Sequence, residues 1–182
     1  LMDMNQYLEI FIEESKEHLQ ALNQSLLELE KNPGDTAVLN EIFRIAHTLK
    51  GMSGTMGFSR MAALTHKMED VLHALRTGEM KVNTALVDLL FKCLDALENY
   101  LNSIIEKGNE GSQEYRDIID ALSDIIRNKA VPEEIVANLS AGGQAVPVNV
   151  ADANDASGPM DFKLNEYEQN VINKALEARM KV

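Results

Sequence analysis

The sequence predicts an all-α protein, an up-and-down antiparallel helical bundle, on three observations. Hydrophobic residues make up 45% of the 182 positions but aromatic residues only 5%, with no tryptophan, so the core has to be built from leucine, isoleucine and methionine, side chains that suit packed helices. Apolar residues recur every three or four positions over long stretches, the α-helical period. The breaks between these stretches are short and carry proline or glycine, as expected where successive antiparallel helices are joined.

The first helix follows Asp3, which with Gln6 three places on makes a capping-box pattern. Leu8, Phe11, Ile12, Leu19, Leu22, Leu26 and Leu29 form its apolar stripe, and Asn32-Pro33-Gly34-Asp35 stops it. Asp35 or Thr36 then caps a second helix expected over residues 37–52. A third is expected from Ser59 to a glycine C-cap near Thr77-Gly78, and a fourth opens at Asn83 or Thr84. The stripe of the fourth is the cleanest in the chain: Leu86, Leu89, Leu90, Cys93, Leu97, Tyr100, Leu101, Ile104 and Ile105. After a break over residues 107–112, Tyr115, Ile118, Ile119, Leu122, Ile125 and Ile126 mark a shorter fifth helix. Residues 131–160 are rich in alanine, glycine, asparagine, aspartate and proline and read as a flexible linker. Beyond them Tyr167, Val171, Ile172, Ala175 and Leu176 repeat with helical period up to Val182. One amphipathic helix cannot bury its own apolar face, so residues 161–182 read as the truncated start of another domain.

Composition also bears on partners. Seventeen Lys and Arg against 29 Asp and Glu give a formal charge of −12, which repels phosphate backbones and anionic lipid and argues against nucleic acid and membrane insertion. Cys93 is the only cysteine, which excludes an intramolecular disulfide and fits a reducing, cytoplasmic setting.

Three glycines, a histidine and a lysine interrupt A-H-T-L-K-G-M-S-G-T-M-G-F, residues 46–58, a stretch whose flanks read as helix, although glycine in a helix costs about 1 kcal/mol relative to alanine. On a helical wheel Val38, Ile42, Ile45, Leu49 and Met52 share the core side, and His47 points away from it. Asn40, Arg44, Lys50, Gly51 and Gly54 are expected beside His47, so a basic setting adjoins two positions without side chains, leaving clearance for docking. On the third helix His66, Glu69 and His73 are spaced to share a face. If that face meets the second helix, Glu69 accepts a hydrogen bond from Nδ1 of His47, which fixes the tautomer and leaves the Nε2 lone pair as a nucleophile. The chief rival is a metal-binding bundle using His66, Glu69 and His73. Di-iron bundles use Glu-x-x-His pairs from several helices, whereas the order here is His-x-x-Glu on one helix. A structural helical adaptor, with neither phosphate nor metal, is the third reading.

His47-Thr48-Leu49-Lys50-Gly51 followed by Gly57 fits H-x-L-K-G-x5-G, and the stretch from Leu64 to Leu72 resembles the facing helix of the same fold. On these residues the chain resembles the histidine phosphotransfer (HPt) domains of chemotaxis histidine kinases, the CheA family. The opening M-D-M-N-Q-Y-L-E-I-F-I-E-E-S-K-E-H-L is similar to members from Gram-positive bacteria. The resemblance implies a four-helix HPt bundle with a fifth helix over residues 1–130 (the P1 domain), the linker, and the start of the response-regulator-binding P2 domain. It implies that His47 accepts the γ-phosphoryl group of ATP and passes it to an aspartate of a response regulator such as CheY or CheB. By the same resemblance Glu69 hydrogen-bonds the phosphohistidine, Lys50 lies beside the phosphate, His66 joins that polar network, and Gly51 keeps the approach open.

The sequence has neither a G-x-x-x-x-G-K-[ST] loop nor a D-x-G-x-G box, so the fragment is expected to act as phosphoacceptor, with ATP and Mg bound by a kinase domain elsewhere in the polypeptide. The family further implies a homodimeric full-length kinase that works with a receptor and a coupling protein. A stand-alone HPt phosphorelay protein is the nearest alternative.

Overall fold

The structure, a computed structural model, describes residues 3–129. These form five helices: α1 (Met4–Lys31), α2 (Thr36–Thr55), α3 (Ser59–Arg76), α4 (Thr84–Lys107) and α5 (Arg116–Asn128). The fold is all-α, as expected. The predicted linker (131–160) and the predicted start of a further domain (161–182) lie outside the described residues.

Each consecutive pair of helices packs together, most extensively α2 with α3, and α4 returns to α1. That closes a four-helix ring, and α5 lies against α3 and α4. The core is aliphatic: Leu22, Leu26, Leu29, Ile42, Leu49, Leu64, Met68, Leu72, Leu86 and Leu89 are all fully buried. Short connections and amphipathic stripes suffice to produce this arrangement, since each helix buries its apolar side only against its neighbours. Among the described residues no helix is long and apolar enough to cross a membrane.

The helix ends explain the boundaries. Gln6 Oε1 accepts the Asp3 N–H at 3.2 Å in the expected capping box. Asp35 Oδ1 accepts the N–H groups of Ala37 and Val38 at 3.0 and 3.2 Å, and Asn83 Oδ1 accepts that of Leu86 at 2.8 Å. In α4 the expected stripe is buried except for Ile105, which is 44% exposed.

The second helix runs to Thr55, three residues beyond its expected end. Its stop is set by Gly57 rather than by Gly51 or Gly54. Gly57 adopts φ +78°, its N–H bonds to the Gly54 carbonyl at 3.1 Å, and the Phe58 N–H reaches the Ser53 carbonyl at 2.8 Å. This is a Schellman ending, which needs the left-handed conformation that glycine adopts without penalty. Phe58 is buried and packs on Phe11 of α1, ring centroids 5.0 Å apart. Gly78 repeats the motif at the end of α3, with Gly78 N–H to Leu75 O at 3.3 Å and Glu79 N–H to Ala74 O at 3.0 Å.

The start of α3 is capped from elsewhere. Phe58 is its N-cap residue and has no side-chain acceptor. The Glu110 carboxylate, from the loop between α4 and α5, accepts the N–H groups of Arg60 at 3.0 Å and Met61 at 2.9 Å. Arg60 Nη1 donates to the Gly111 carbonyl at 3.1 Å, so the same loop is gripped from both sides.

Candidate functional site

The helical period places Phe43, His47 and Lys50 on one face of α2, and Glu69, His73 and Arg76 on one face of α3. The α2–α3 interface, the most extensive in the bundle, brings these faces together. His47 Nδ1 lies 2.9 Å from Glu69 Oε1, and Lys50 Nζ lies 2.7 Å from Glu69 Oε2. One carboxylate therefore holds a histidine and a lysine through its two oxygens. The side chains of His47, Lys50 and Glu69 are 28%, 22% and 15% exposed, anchored at the bundle surface but reachable.

Burial pushes the Glu69 carboxyl up, but the hydrogen bonds from Lys50 and His47 and the positive charge of Lys50 outweigh it and hold the group below its ordinary value of 4.5. Glu69 is thus ionised at neutral pH and acts only as an acceptor. The proton in the His47–Glu69 bond must therefore sit on Nδ1, which places the lone pair of the neutral ring on Nε2. The expected orientation of the imidazole by Glu69 is the arrangement found.

Other expectations are redistributed. His66, 48% exposed, has Nε2 3.7 Å from Asp70 Oδ1 one turn along its own helix, so its ion-pair partner is Asp70 and not the Glu69 carboxylate. His73 lies beside the Phe43 ring, with centroids 6.4 Å apart. His66, Glu69 and His73 therefore turn to three different neighbours, and among the described residues no group of His, Cys, Asp and Glu is placed to hold a metal ion. Gly51 is buried, not on the exposed face with His47, whereas Gly54 is exposed. On the wheel Gly51 falls outside the core stripe, yet Thr48, its neighbour on that side, is buried as well, so the buried side of α2 is wider than the stripe.

Three residues at or near the site escaped the sequence reading. Phe43, one turn before His47, stacks on the imidazole at 6.2 Å between centroids and 7° between planes. The Arg76 guanidinium lies over the Phe43 ring, 4.1 Å from its centroid. The spacings from His47 back to Phe43 and from Glu69 on to Arg76 were the available signal. Glu110, which caps the helix bearing Glu69, left no local signal, because it lies about 50 residues from the N–H groups it accepts.

The four-helix bundle presents a partly exposed, carboxylate-oriented imidazole beside a lysine. Comparison with known proteins gives the family. The Hpt domain family model matches residues 6–101. The chemotaxis protein CheA of Bacillus subtilis is 44% identical over 180 residues, 99% of this chain and 24% of that protein. The solution structure of the histidine phosphotransfer domain of CheA has a TM-score of 0.63 at 44% identity, covering 72% of this chain and 97% of that one. A phosphorylated P1 domain of CheA3 from R. sphaeroides, solved in complex with CheY6, has the same fold, with a TM-score of 0.63 at 22% identity over 68% of this chain and 98% of that one. The chain belongs to the Hpt domain family. It spans about a quarter of the length of its Bacillus relative.

Proposed function

We propose that this chain is the phosphoacceptor and phosphotransfer module of a CheA-type chemotaxis kinase, with His47 as the residue that carries the phosphoryl group. The observation that carries the reading is the 2.9 Å contact between His47 Nδ1 and Glu69 Oε1, which commits the ring to the tautomer with a nucleophilic Nε2.

In the proposed step Nε2 of His47 attacks the γ-phosphorus of ATP in line, the bond to the β,γ-bridging oxygen breaks, and ADP leaves with that electron pair. The ring keeps its Nδ1 proton, and the positive charge it gains as the N–P bond forms falls opposite the ionised Glu69. Lys50, one turn beyond His47, offsets the charge of the arriving phosphoryl group. A kinase domain elsewhere in the full polypeptide supplies ATP and Mg, in a homodimer that works with a receptor and a coupling protein. A response regulator of the CheY or CheB kind takes the group onto an aspartate. The setting is cytoplasmic. Family membership and the strong match to a CheA relative support this reading.

The test is incubation of the chain with ATP, Mg and the kinase core of a CheA relative that lacks its own phosphotransfer domain. Acid-labile label on the chain that is lost in His47→Gln is the expected result. Full labelling of the His47→Gln protein sinks the assignment.

A further inference from the structure

The His47 imidazole moves by rotation about its Cα–Cβ and Cβ–Cγ bonds, and in-line attack tolerates little misplacement of the nucleophile. Contacts that narrow this rotation therefore bear on the rate, and besides the Glu69 hydrogen bond the structure contains a ring contact of this kind. The Phe43 ring runs nearly parallel to the imidazole, 7° between planes with centroids 6.2 Å apart, within the range of offset aromatic stacking. Phe43 is itself held. The Arg76 guanidinium sits over its face at 4.1 Å and the His73 ring flanks it at 6.4 Å, so α3 braces on α2 the residue that braces the histidine.

We propose that Phe43, braced by Arg76, is a positioning residue for phosphoryl transfer: it sets the plane of the His47 imidazole while Glu69 sets its tautomer. The proposal rests on His47 being the phosphoacceptor and adds a residue that acts on the placement of its ring. Phe43 touches neither the nucleotide nor the phosphoryl group in this scheme; it acts through His47. Arg76 contributes a cation–π contact with the ring, an interaction that survives when the face is partly open to solvent.

The test uses the 182-residue chain in wild-type form and as Phe43→Leu, Phe43→Tyr, Arg76→Gln and Arg76→Lys. Single-turnover uptake from a supplied kinase core with saturating ATP gives the maximal rate and the concentration of chain at half-maximal rate. Long-range 1H–15N spectra of the His47 ring, read without any kinase, report its tautomer and environment. Phe43→Leu is expected to lower the maximal rate about three- to tenfold, the scale of one aromatic pair, with half-saturation unchanged, altered His47 ring signals and a retained Nδ1–H tautomer. Phe43→Tyr should restore the rate, and Arg76→Lys should keep more of it than Arg76→Gln. A folded Phe43→Leu protein with wild-type rate and wild-type ring signals overturns the proposal, as does a Phe43→Tyr protein no faster than Phe43→Leu. If wild type takes no label on His47, the phosphoacceptor reading fails instead. The ring signals then decide the placement of the imidazole alone, and unchanged signals in Phe43→Leu still overturn it.

Discussion

The Glu110 carboxylate accepts the backbone N–H of Met61 at 2.9 Å, joining the α4–α5 loop to the first turn of α3. Glu110 is only 8% exposed, and its second oxygen takes the Arg60 N–H at 3.0 Å. A negative charge also suits a helix N-terminus. The helix that carries Glu69 is thus started by a residue about 50 positions further along the chain.

Removing that cap leaves two amide donors at the start of α3 without their acceptor. Glu110→Ala is therefore expected to destabilise the fold by about 1–3 kcal/mol, the cost of a lost charged cap over buried donors. Glu110→Gln, which keeps one acceptor oxygen, should lose less. Urea unfolding followed by circular dichroism measures both, and equal losses would show that the oxygen retained by glutamine contributes nothing to the cap.

Lys50 and His47 share the Glu69 carboxylate. Lys50→Met is expected to leave the His47–Glu69 contact in place while removing the positive charge beside the phosphoryl group. Uptake from a kinase core should slow by about tenfold or more, since one preorganised group stabilising transferring charge is worth about 10²–10³ in a water-excluded site and less at a partly exposed one. Helicity should be unchanged. A Lys50→Met protein labelled at the wild-type rate would remove Lys50 from the chemistry.

Gly57 and Gly78 end α2 and α3 in the same motif, both at φ +78°, and a Cβ at either would meet nothing within 4 Å. Alanine at these positions suffers only the left-handed backbone penalty. Gly57→Ala and Gly78→Ala should therefore each cost about 1–2 kcal/mol and match one another. Markedly unequal losses in thermal or urea unfolding would show that one of them does more than end a helix.

Acid should weaken the fold in two stages. Burial holds His18 on α1 below its ordinary value of 6.5, against the opposing pull of Glu14, Glu17 and Glu41. The unfolded chain then binds this proton more readily, so stability falls as pH drops below about 6.5. Glu69 is also held below its ordinary 4.5, so its contribution is complete above that pH and is lost on further acidification through the folded value. Unfolding midpoints from pH 7.5 down to 3.5 check this. His18→Leu should flatten the upper stage alone and Glu69→Gln the lower stage alone.

The apolar stripes of α1 and α4, the caps at Asp35 and Asn83 and the glycine ending at Gly78 were legible because each depends on residues within a turn or two of one another. Local hydrogen bonding and a 3.6-residue period are written directly in the chain. The late end of α2 was harder to read. Gly51 and Gly54 invite a stop, and only the Gly57 ending, with Phe58 buried against Phe11 of another helix, carries α2 on to Thr55.

By itself, the sequence determined five helices, a bundle, and an outward-facing histidine with a carboxylate candidate on the next helix, since periodicity fixes which side chains share a face. Tertiary structure alone decided which faces meet and at what register. That choice gave Glu69 both His47 and Lys50, sent His66 to Asp70, buried Gly51, laid Phe43 against the imidazole and brought Glu110 to cap α3. The physical reason is that helix-to-helix register depends on the combined packing of all buried side chains, and no window of local sequence contains that information.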